Sequence, residues 1–266
     1  MEIGFIGSGN MGSAIISGIV GSKITKSEDI IVSDIKAESL EKINEKYGVN
    51  TTSDNKEAAK CNIVFLCVKP NVIVDVIKGI KDIVSENTLI VSIAAGKSID
   101  DILHAFGKEV KVIRVMPNTP ALIGEGMSAI TSSIQVTDED REKVLEIFRS
   151  FGKCEVVDEQ LMDTVTAVSG SSPAYVFMFI EAMADAAVQG GMSRDKAYVF
   201  AAQSVLGSAK MVLETGMHPA ALKDMVCSPS GTTIEAVSVL EEKGMRDAVI
   251  SAMKACMEKS KEMGKN

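Results

Sequence analysis

Two stretches of the chain carry residue types whose spacing could do chemistry. The first is Gly7-Ser8-Gly9-Asn10-Met11-Gly12, preceded by a short apolar run from Glu2 to Ile6 and followed by Ala14, Ile15, Ile16, Ile19 and Val20 at helical spacing. Strand, G-x-G-x-x-G, helix is a dinucleotide-binding pattern. The first glycine permits the tight turn, the second lets a pyrophosphate approach the backbone, and the third lets helix and strand pack closely. Such a site also wants an acidic residue at the end of the second strand, about twenty residues on. Ile30-Ile31-Val32-Ser33 leads into Asp34. A carboxylate there accepts hydrogen bonds from the adenosine ribose hydroxyls and repels a 2′-phosphate, so Asp34 leans toward NADH. Ser33 and Lys36 stand beside it and could receive a phosphate, which keeps NADPH open.

The second stretch is Ser228-Pro229-Ser230-Gly231-Thr232-Thr233, followed by Ile234, Val237 and Leu240 on one helical face. The first amides of a helix lack intrahelical partners, and the helix dipole places partial positive charge there. A hydroxyl-rich turn entering a helix is therefore a seat for an anion, or else an ordinary N-cap. A nucleotide site near one end of the chain and an anion seat near the other suggest a substrate held between them.

Hydride transfer to or from a carbonyl needs a proton donor or acceptor, usually His, Lys or Tyr. Hydroxyacid dehydrogenases of similar layout carry a lysine on the helix that here begins Ser171-Ser172-Pro173-Ala174-Tyr175, and no lysine occurs from Ser169 to Gln189. His218 precedes Pro219 at a helix start, a structural or exposed position. A cyclic imine needs no strong acid, because an iminium carbon is already electrophilic. Orientation and a seat for a carboxylate then suffice. The spacing thus points to imine reduction, with a hydroxyacid dehydrogenase or a non-catalytic NAD(P)-sensing protein as alternatives.

The elements that must position these residues alternate. Helix is expected from Glu38 to Tyr47, a short strand from Val49 to Thr51, and a turn or two of helix from Asn55 to Lys60. Ile63 to Val68 is a continuous apolar run, as in a strand buried on both faces, and it ends in Lys69-Pro70. Strands are expected at Leu89–Ile93 (followed by Ala94-Ala95-Gly96), Lys111–Met116, Gly126–Thr131 and Cys154–Val157, with a helix over Asp138–Phe151. This predicts an α/β fold with a Rossmann-type, doubly wound parallel sheet over residues 1–160. From residue 161 to 266 only helical patterns follow: Met162–Ser169, Pro173–Gln189, Ser193–Glu214, Pro219–Cys227, Thr233–Lys243 and Gly244–Met263. Their apolar residues spread over more than one face, for example Ala182, Met183, Ala186, Ala187 and Val188. A small helical domain cannot hide so much apolar surface, so a second copy of the chain is expected to cover it.

Composition narrows the classes. A net charge of −8 argues against nucleic acid as a partner. Five scattered cysteines without a CxxC, and only two histidines, leave no zinc pattern, so no metal is expected. Reduced thiols fit a cytoplasmic protein. The N-terminus has no basic region ahead of its first strand, unlike a signal peptide. The apolar stretch Ala174–Val188 contains Glu181 and Asp185, which makes a buried helix rather than a membrane span.

The run Leu222-Lys223-Asp224-Met225-Val226-Cys227-Ser228-Pro229-Ser230-Gly231-Thr232-Thr233-Ile234-Glu235-Ala236 resembles the signature of the pyrroline-5-carboxylate reductases. Gly170–Tyr175, Val68-Lys69-Pro70 and Arg114–Pro120 match that family in the same order, so the resemblance covers essentially the whole chain. It implies NAD(P)H-dependent reduction of 1-pyrroline-5-carboxylate to L-proline, the last step of proline biosynthesis. It also implies a C-terminal helical dimerisation domain, with assembly up to decamers in some members. Ile6, Gly7, Ser8, Gly9, Asn10, Met11, Gly12, Asp34, Asn55, Cys67, Val68, Lys69, Pro70 and Ala94 would line the cofactor. Ser228, Gly231, Thr232 and Thr233 would hold the substrate carboxylate, with Thr233 also reaching the ring nitrogen as the catalytic residue. The seat would come from the partner subunit, so that each active site spans the dimer interface. Two positions depart from the family. Many members carry a neutral or basic residue where Asp34 stands and favour NADPH, and some carry a polar residue where Met225 stands, so no cofactor contact is carried over to Met225.

Overall fold

The structure, a computed structural model, describes residues 2–264. Eight strands form one sheet: β1 (Ile3–Ile6), β2 (Ile30–Ser33), β3 (Asn50–Thr52), β4 (Ile63–Leu66), β5 (Leu89–Ser92), β6 (Lys111–Met116), β7 (Gly126–Ser132) and β8 (Gly152–Val156). Their order is β3-β2-β1-β4-β5-β6-β7-β8. The pairs from β3 across to β6 are all parallel, which is the doubly wound order with its switch point between β1 and β4. Beyond β6 the pairing changes: β7 runs antiparallel to β6, and β8 parallel to β7. Residues 117–125, between β6 and β7, are too few for a helical crossover, so the chain can only return antiparallel.

Alternation along the strands divides the core into two layers. Ile3, Phe5, Ile63, Phe65, Val91, Ile113 and Val115 face one side, against apolar residues of α1 (Asn10–Ser22), α2 (Ala37–Tyr47) and a later helix over Asp138–Arg149. Ile6, Val64, Leu66, Ile90 and Val112 face the other, with α3 (Asn55–Ala58), α4 (Ile73–Ile80) and α5 (Ile99–Phe106). Burial on both faces is why these strands read as unbroken apolar runs. On the first side the Phe5 and Phe65 rings stack at 4.7 Å. On the second, Gly4 lets α3 come so close that a Cβ on it would clash with the Ala58 carbonyl.

Helix α6 (Asp138–Arg149) begins with a capping box between Thr137 and Asp140. Asp140 Oδ2 also accepts a 2.8 Å bond from Lys111 Nζ on β6. Burial opposes ionisation of Asp140, but the bonds from Lys111 and Thr137 outweigh it and hold its carboxyl below the ordinary 3.8. This contribution to stability is present above that ordinary value and is lost as pH falls through the lowered one. Asp140→Asn should therefore lower stability at pH 7 by about 1–2 kcal/mol. In urea titrations the gap to the parent protein should narrow below pH of about 4.

The remaining chain is helical: α7 (Met162–Val165), α8 (Ser172–Gln189), α9 (Arg194–Thr215), α10 (Pro219–Val226), α11 (Thr232–Glu242) and α12 (Met245–Gly264). The helix expected over Met162–Ser169 is α7 followed by a π-helical turn, Thr166–Gly170. The carbonyl of Ser169 would ordinarily bond the N–H four residues on, but that residue is Pro173, which has none. Asn118 Nδ2 takes its place as donor, at 3.1 Å.

The chain divides into two compact units, one running to Ser171 and resuming at Cys256, the other Ser172–Ala255. The first takes in the end of α12, whose Ser260 hydroxyl donates to Asp163 Oδ1 at 2.6 Å. The second is built on the α8–α9 hairpin and fully buries only Ala184, Ala197 and Ala201 of its apolar residues. Phe177 (63% exposed), Met178, Val199 and Phe200 (65% exposed) stand open. No helix among the described residues is long and apolar enough to cross a membrane.

Candidate active site

In the first unit, β1 delivers the Gly-rich loop to the carboxyl edge of the sheet. Because β1 lies between β2 and β4, the tips of those two strands flank the loop. Gly7 takes φ +101°, and a Cβ on it would lie 2.5 Å from the Cys67 carbonyl oxygen. A Cβ on Gly12 would lie 2.7 Å from the Gly7 carbonyl oxygen. Gly9 has the opposite surroundings, with no atom within 4 Å of its Cβ position. The first and third glycines thus close the turn and the helix–strand contact, and the second leaves its face open to a ligand. Gly9 is also the N-cap of α1 and brings no side-chain capping bond, and the first turn carries no acidic residue. Uncapped amides at the positive end of a helix beside an open glycine suit a pyrophosphate, so the loop fits a dinucleotide.

Asp34 follows β2 directly. Its Oδ2 accepts from the Ser8 N–H at 2.8 Å and the Ser8 hydroxyl at 2.7 Å, and its Oδ1 accepts from the Lys36 N–H at 2.9 Å. Burial opposes its ionisation, yet the bonds from Ser8, Lys36 and Ile35 hold its carboxyl below the usual carboxylate value. Ser33, expected as a possible phosphate contact, is fully buried; its hydroxyl lies 2.8 Å from Asn55 Oδ1 and 3.2 Å from the Phe5 carbonyl. It cannot meet a phosphate from solvent. Asn55 opens α3 and is tied to the β2 tip by that bond. Ile35 is 92% exposed beside Asp34, an apolar surface at the edge of the site.

On the other side of the loop, β4 runs out into Cys67, Val68, Lys69 and Pro70. Cys67 and Val68 are half-buried and Lys69 is exposed. Burial pushes the Cys67 thiol far above its usual range, so it stays neutral and forms an apolar wall. Ala94 is buried just past β5. Ile6, Asn10 and Met11 complete the expected set, at the end of β1 and the start of α1. Asn118 is committed to the scaffold, because its Oδ1 accepts from the Met127 N–H at 2.8 Å while its Nδ2 holds Ser169.

In the second unit, Ser228, Pro229, Ser230 and Gly231 form a turn closed by the Gly231 N–H donating to the Ser228 carbonyl at 3.1 Å. Pro229 suits the second position, and Ser230 takes φ +56° at the third, where glycine is the usual residue. Gly231 is the N-cap of α11 and makes no side-chain capping bond. A Cβ on Gly231 would lie 2.3 Å from Ser228 Oγ. The missing side chain therefore lets the Ser228 hydroxyl sit over the helix entrance. Thr232 is exposed and Thr233 half-buried in the first turn. Glycine at the cap position brings no side chain to the first amides of the helix. His218 does cap its helix: its Nδ1 accepts from the Ala220 N–H at 3.2 Å. That fixes it as a structural acceptor on α10. No cluster of metal-ligating side chains occurs among the described residues.

Two family models match separate stretches of the chain. Residues 159–263 match the family described as pyrroline-5-carboxylate reductase dimerisation, and residues 2–96 match NADP oxidoreductase, coenzyme F420-dependent. The chain is 53% identical over 266 residues to the pyrroline-5-carboxylate reductase of Escherichia coli (strain K12), covering 100% of this chain and 99% of that one. Among solved structures, a pyrroline-5-carboxylate reductase from Coxiella burnetii superposes with a TM-score of 0.93 at 35% identity, covering 100% of this chain and 99% of that one. A Plasmodium falciparum pyrroline carboxylate reductase with NADP bound superposes with a TM-score of 0.90 at 36% identity, covering 99% and 98%.

Proposed function

The chain belongs to the pyrroline-5-carboxylate reductase family, and from that premise we propose how its residues divide the reaction between them. The enzyme reduces the C=N bond of 1-pyrroline-5-carboxylate with NAD(P)H to give L-proline, the last step of proline biosynthesis. The alternatives of a hydroxyacid dehydrogenase and a non-catalytic sensor give way to this activity.

Bound NAD(P)H supplies the hydride. The Gly7–Gly12 loop and the amides opening α1 hold its pyrophosphate, and Asp34 accepts from the adenosine ribose. Ile35 offers its exposed side chain to the flat adenine. Asn55, the Cys67–Pro70 segment and Ala94 line the remainder of the cofactor. The substrate carboxylate sits at the open entrance of α11, on the Gly231 turn, the Ser228 hydroxyl and Thr232. Thr233 bonds the ring nitrogen and steadies its proton as the carbon is reduced. The observation that carries this reading is the uncapped, hydroxyl-lined entrance of α11. It is an anion site in a chain whose one candidate histidine there is already used as a cap.

The exposed apolar faces of α8 and α9 pack against a second copy of the chain, and each α11 entrance completes the cofactor site of its partner. Larger assemblies such as a decamer would be built from these dimers. Five free cysteines suit the reducing cytoplasm.

Cofactor choice is tested by NADH and NADPH oxidation in separate cuvettes, each with pyrroline-5-carboxylate. Turnover is expected with both and faster with NADH, because the charged Asp34 repels a 2′-phosphate. Asp34→Ser should move the preference toward NADPH by about tenfold or more. A parent enzyme faster with NADPH, or a variant with unchanged preference, would place the discrimination elsewhere.

A further inference from the structure

Ser8 is the residue between the first two glycines of the loop, a position where the pattern accepts any side chain. Here it gives both of its donors to a single oxygen of Asp34, across 26 positions of sequence. The pair is sheltered, since Ser8 is itself buried. Ser8 is fixed in turn from α1, where the Ser13 hydroxyl donates to its carbonyl at 3.1 Å. An unbroken chain of bonds thus runs from α1 through the Gly-rich loop to the tip of β2. The N–H of any residue but proline at position 8 could make one of these bonds, but the second requires a side-chain donor, here the serine hydroxyl.

We propose that Ser8 is a specificity-determining positioning residue: its hydroxyl pins the Asp34 carboxylate in one orientation beside the Gly-rich loop and so sets the discrimination between NADH and NADPH. This rests on the reading of Asp34 as the ribose contact. The physical reason lies in how a carboxylate could tolerate a 2′-phosphate, which carries about −1.5 to −2 charge. It must swing aside or take up a proton. Two short bonds to one oxygen oppose rotation, and bonds to the charged form oppose protonation. The lowered carboxyl pKa agrees with such a lock.

The test compares the ratio of kcat/KM with NADH to that with NADPH in five proteins: the parent, Ser8→Ala, Ser8→Thr, Asp34→Ser and the double variant Ser8→Ala/Asp34→Ser. Ser8→Ala should lower the ratio about tenfold, and Ser8→Thr, which keeps the hydroxyl, should restore it. In the Asp34→Ser background, Ser8→Ala should change the ratio no further. An equal loss with both cofactors, a rise in the ratio, failure of threonine to rescue, or a further fall in the double variant would each overturn the proposal. The two readings separate cleanly. If Asp34→Ser leaves the ratio unchanged, Asp34 is not the discriminator and the Ser8 inference falls with it. If Asp34→Ser moves the ratio and Ser8→Ala does not, only the Ser8 inference falls.

Discussion

Replacing Gly231 by alanine is expected to lower kcat/KM for pyrroline-5-carboxylate by roughly a hundredfold while leaving NADH affinity nearly intact. The added Cβ would stand 2.3 Å from Ser228 Oγ and 3.1 Å from the Ser228 carbonyl oxygen. Its nearest neighbour is the free end of a short side chain, so the clash resolves when the serine hydroxyl rotates away from the helix entrance. The fold loses little, since exchanging glycine for alanine at an N-cap costs on the order of 1 kcal/mol. The anion seat, however, loses the Ser228 hydroxyl and gains a methyl group in its place. A hydrogen bond to a charged group is worth ~1.5–3 kcal/mol, and crowding of the substrate adds to that loss. Thr233→Ala, which removes one hydroxyl without adding bulk, should fall by roughly ten- to a hundredfold. Steady-state kinetics in the imine, together with NADH titration by fluorescence, separate the two terms. Unchanged catalytic efficiency in both variants would remove the α11 entrance from the substrate site.

Carboxylates placed on the open face of the helical unit should have the second large effect. Phe177→Glu combined with Phe200→Glu is expected to give a monomer that binds cofactor and has lost nearly all turnover. Both rings are about two-thirds exposed in the single chain, at 63% and 65%. Burying a phenylalanine fully against a partner contributes about 1.5–3 kcal/mol. Putting a carboxylate in its place reverses the sign, because an unpaired charge would be desolvated in each subunit. The Gly-rich loop and Asp34 lie in the other compact unit and should be untouched. Analytical ultracentrifugation gives the mass, and NADH titration reports the integrity of the first unit. A dimer that persists would move the interface off this face. A monomer with full turnover would show that one chain completes its own site.

Much of this protein was legible locally. The spacing Gly7, Gly9, Gly12 required a turn, an open face and a close helix contact, and each glycine has those surroundings. The continuous apolar run from Ile63 to Val68 announced a strand covered on both sides, and its first four residues, Ile63–Leu66, form that buried strand. The apolar spread of α8 and α9 announced surface that one chain leaves open. These signals survive in sequence because strand period, helix period and glycine sterics act over a few residues.

What the tertiary structure alone decided was which distant groups meet. The same four letters, Ile31-Val32-Ser33-Asp34, read as two candidate phosphate or ribose contacts in a row. The parallel register that pairs Ile6 with Ser33 buries the serine against Phe5 and Asn55 and leaves the aspartate to Ser8. Likewise, nothing near Ser169 predicts that its carbonyl will need Asn118, or that the end of α12 will return to bond Asp163. The capping of α11 was equally undecided, since serines and threonines crowd the turn and any could have closed it. It stays open because Gly231 takes the cap position and the Ser230 backbone turns into the left-handed region. Periodicity tells a chain what to fold into locally. The pairing of a hydroxyl with a particular carboxylate waits until packed strands fix both in space.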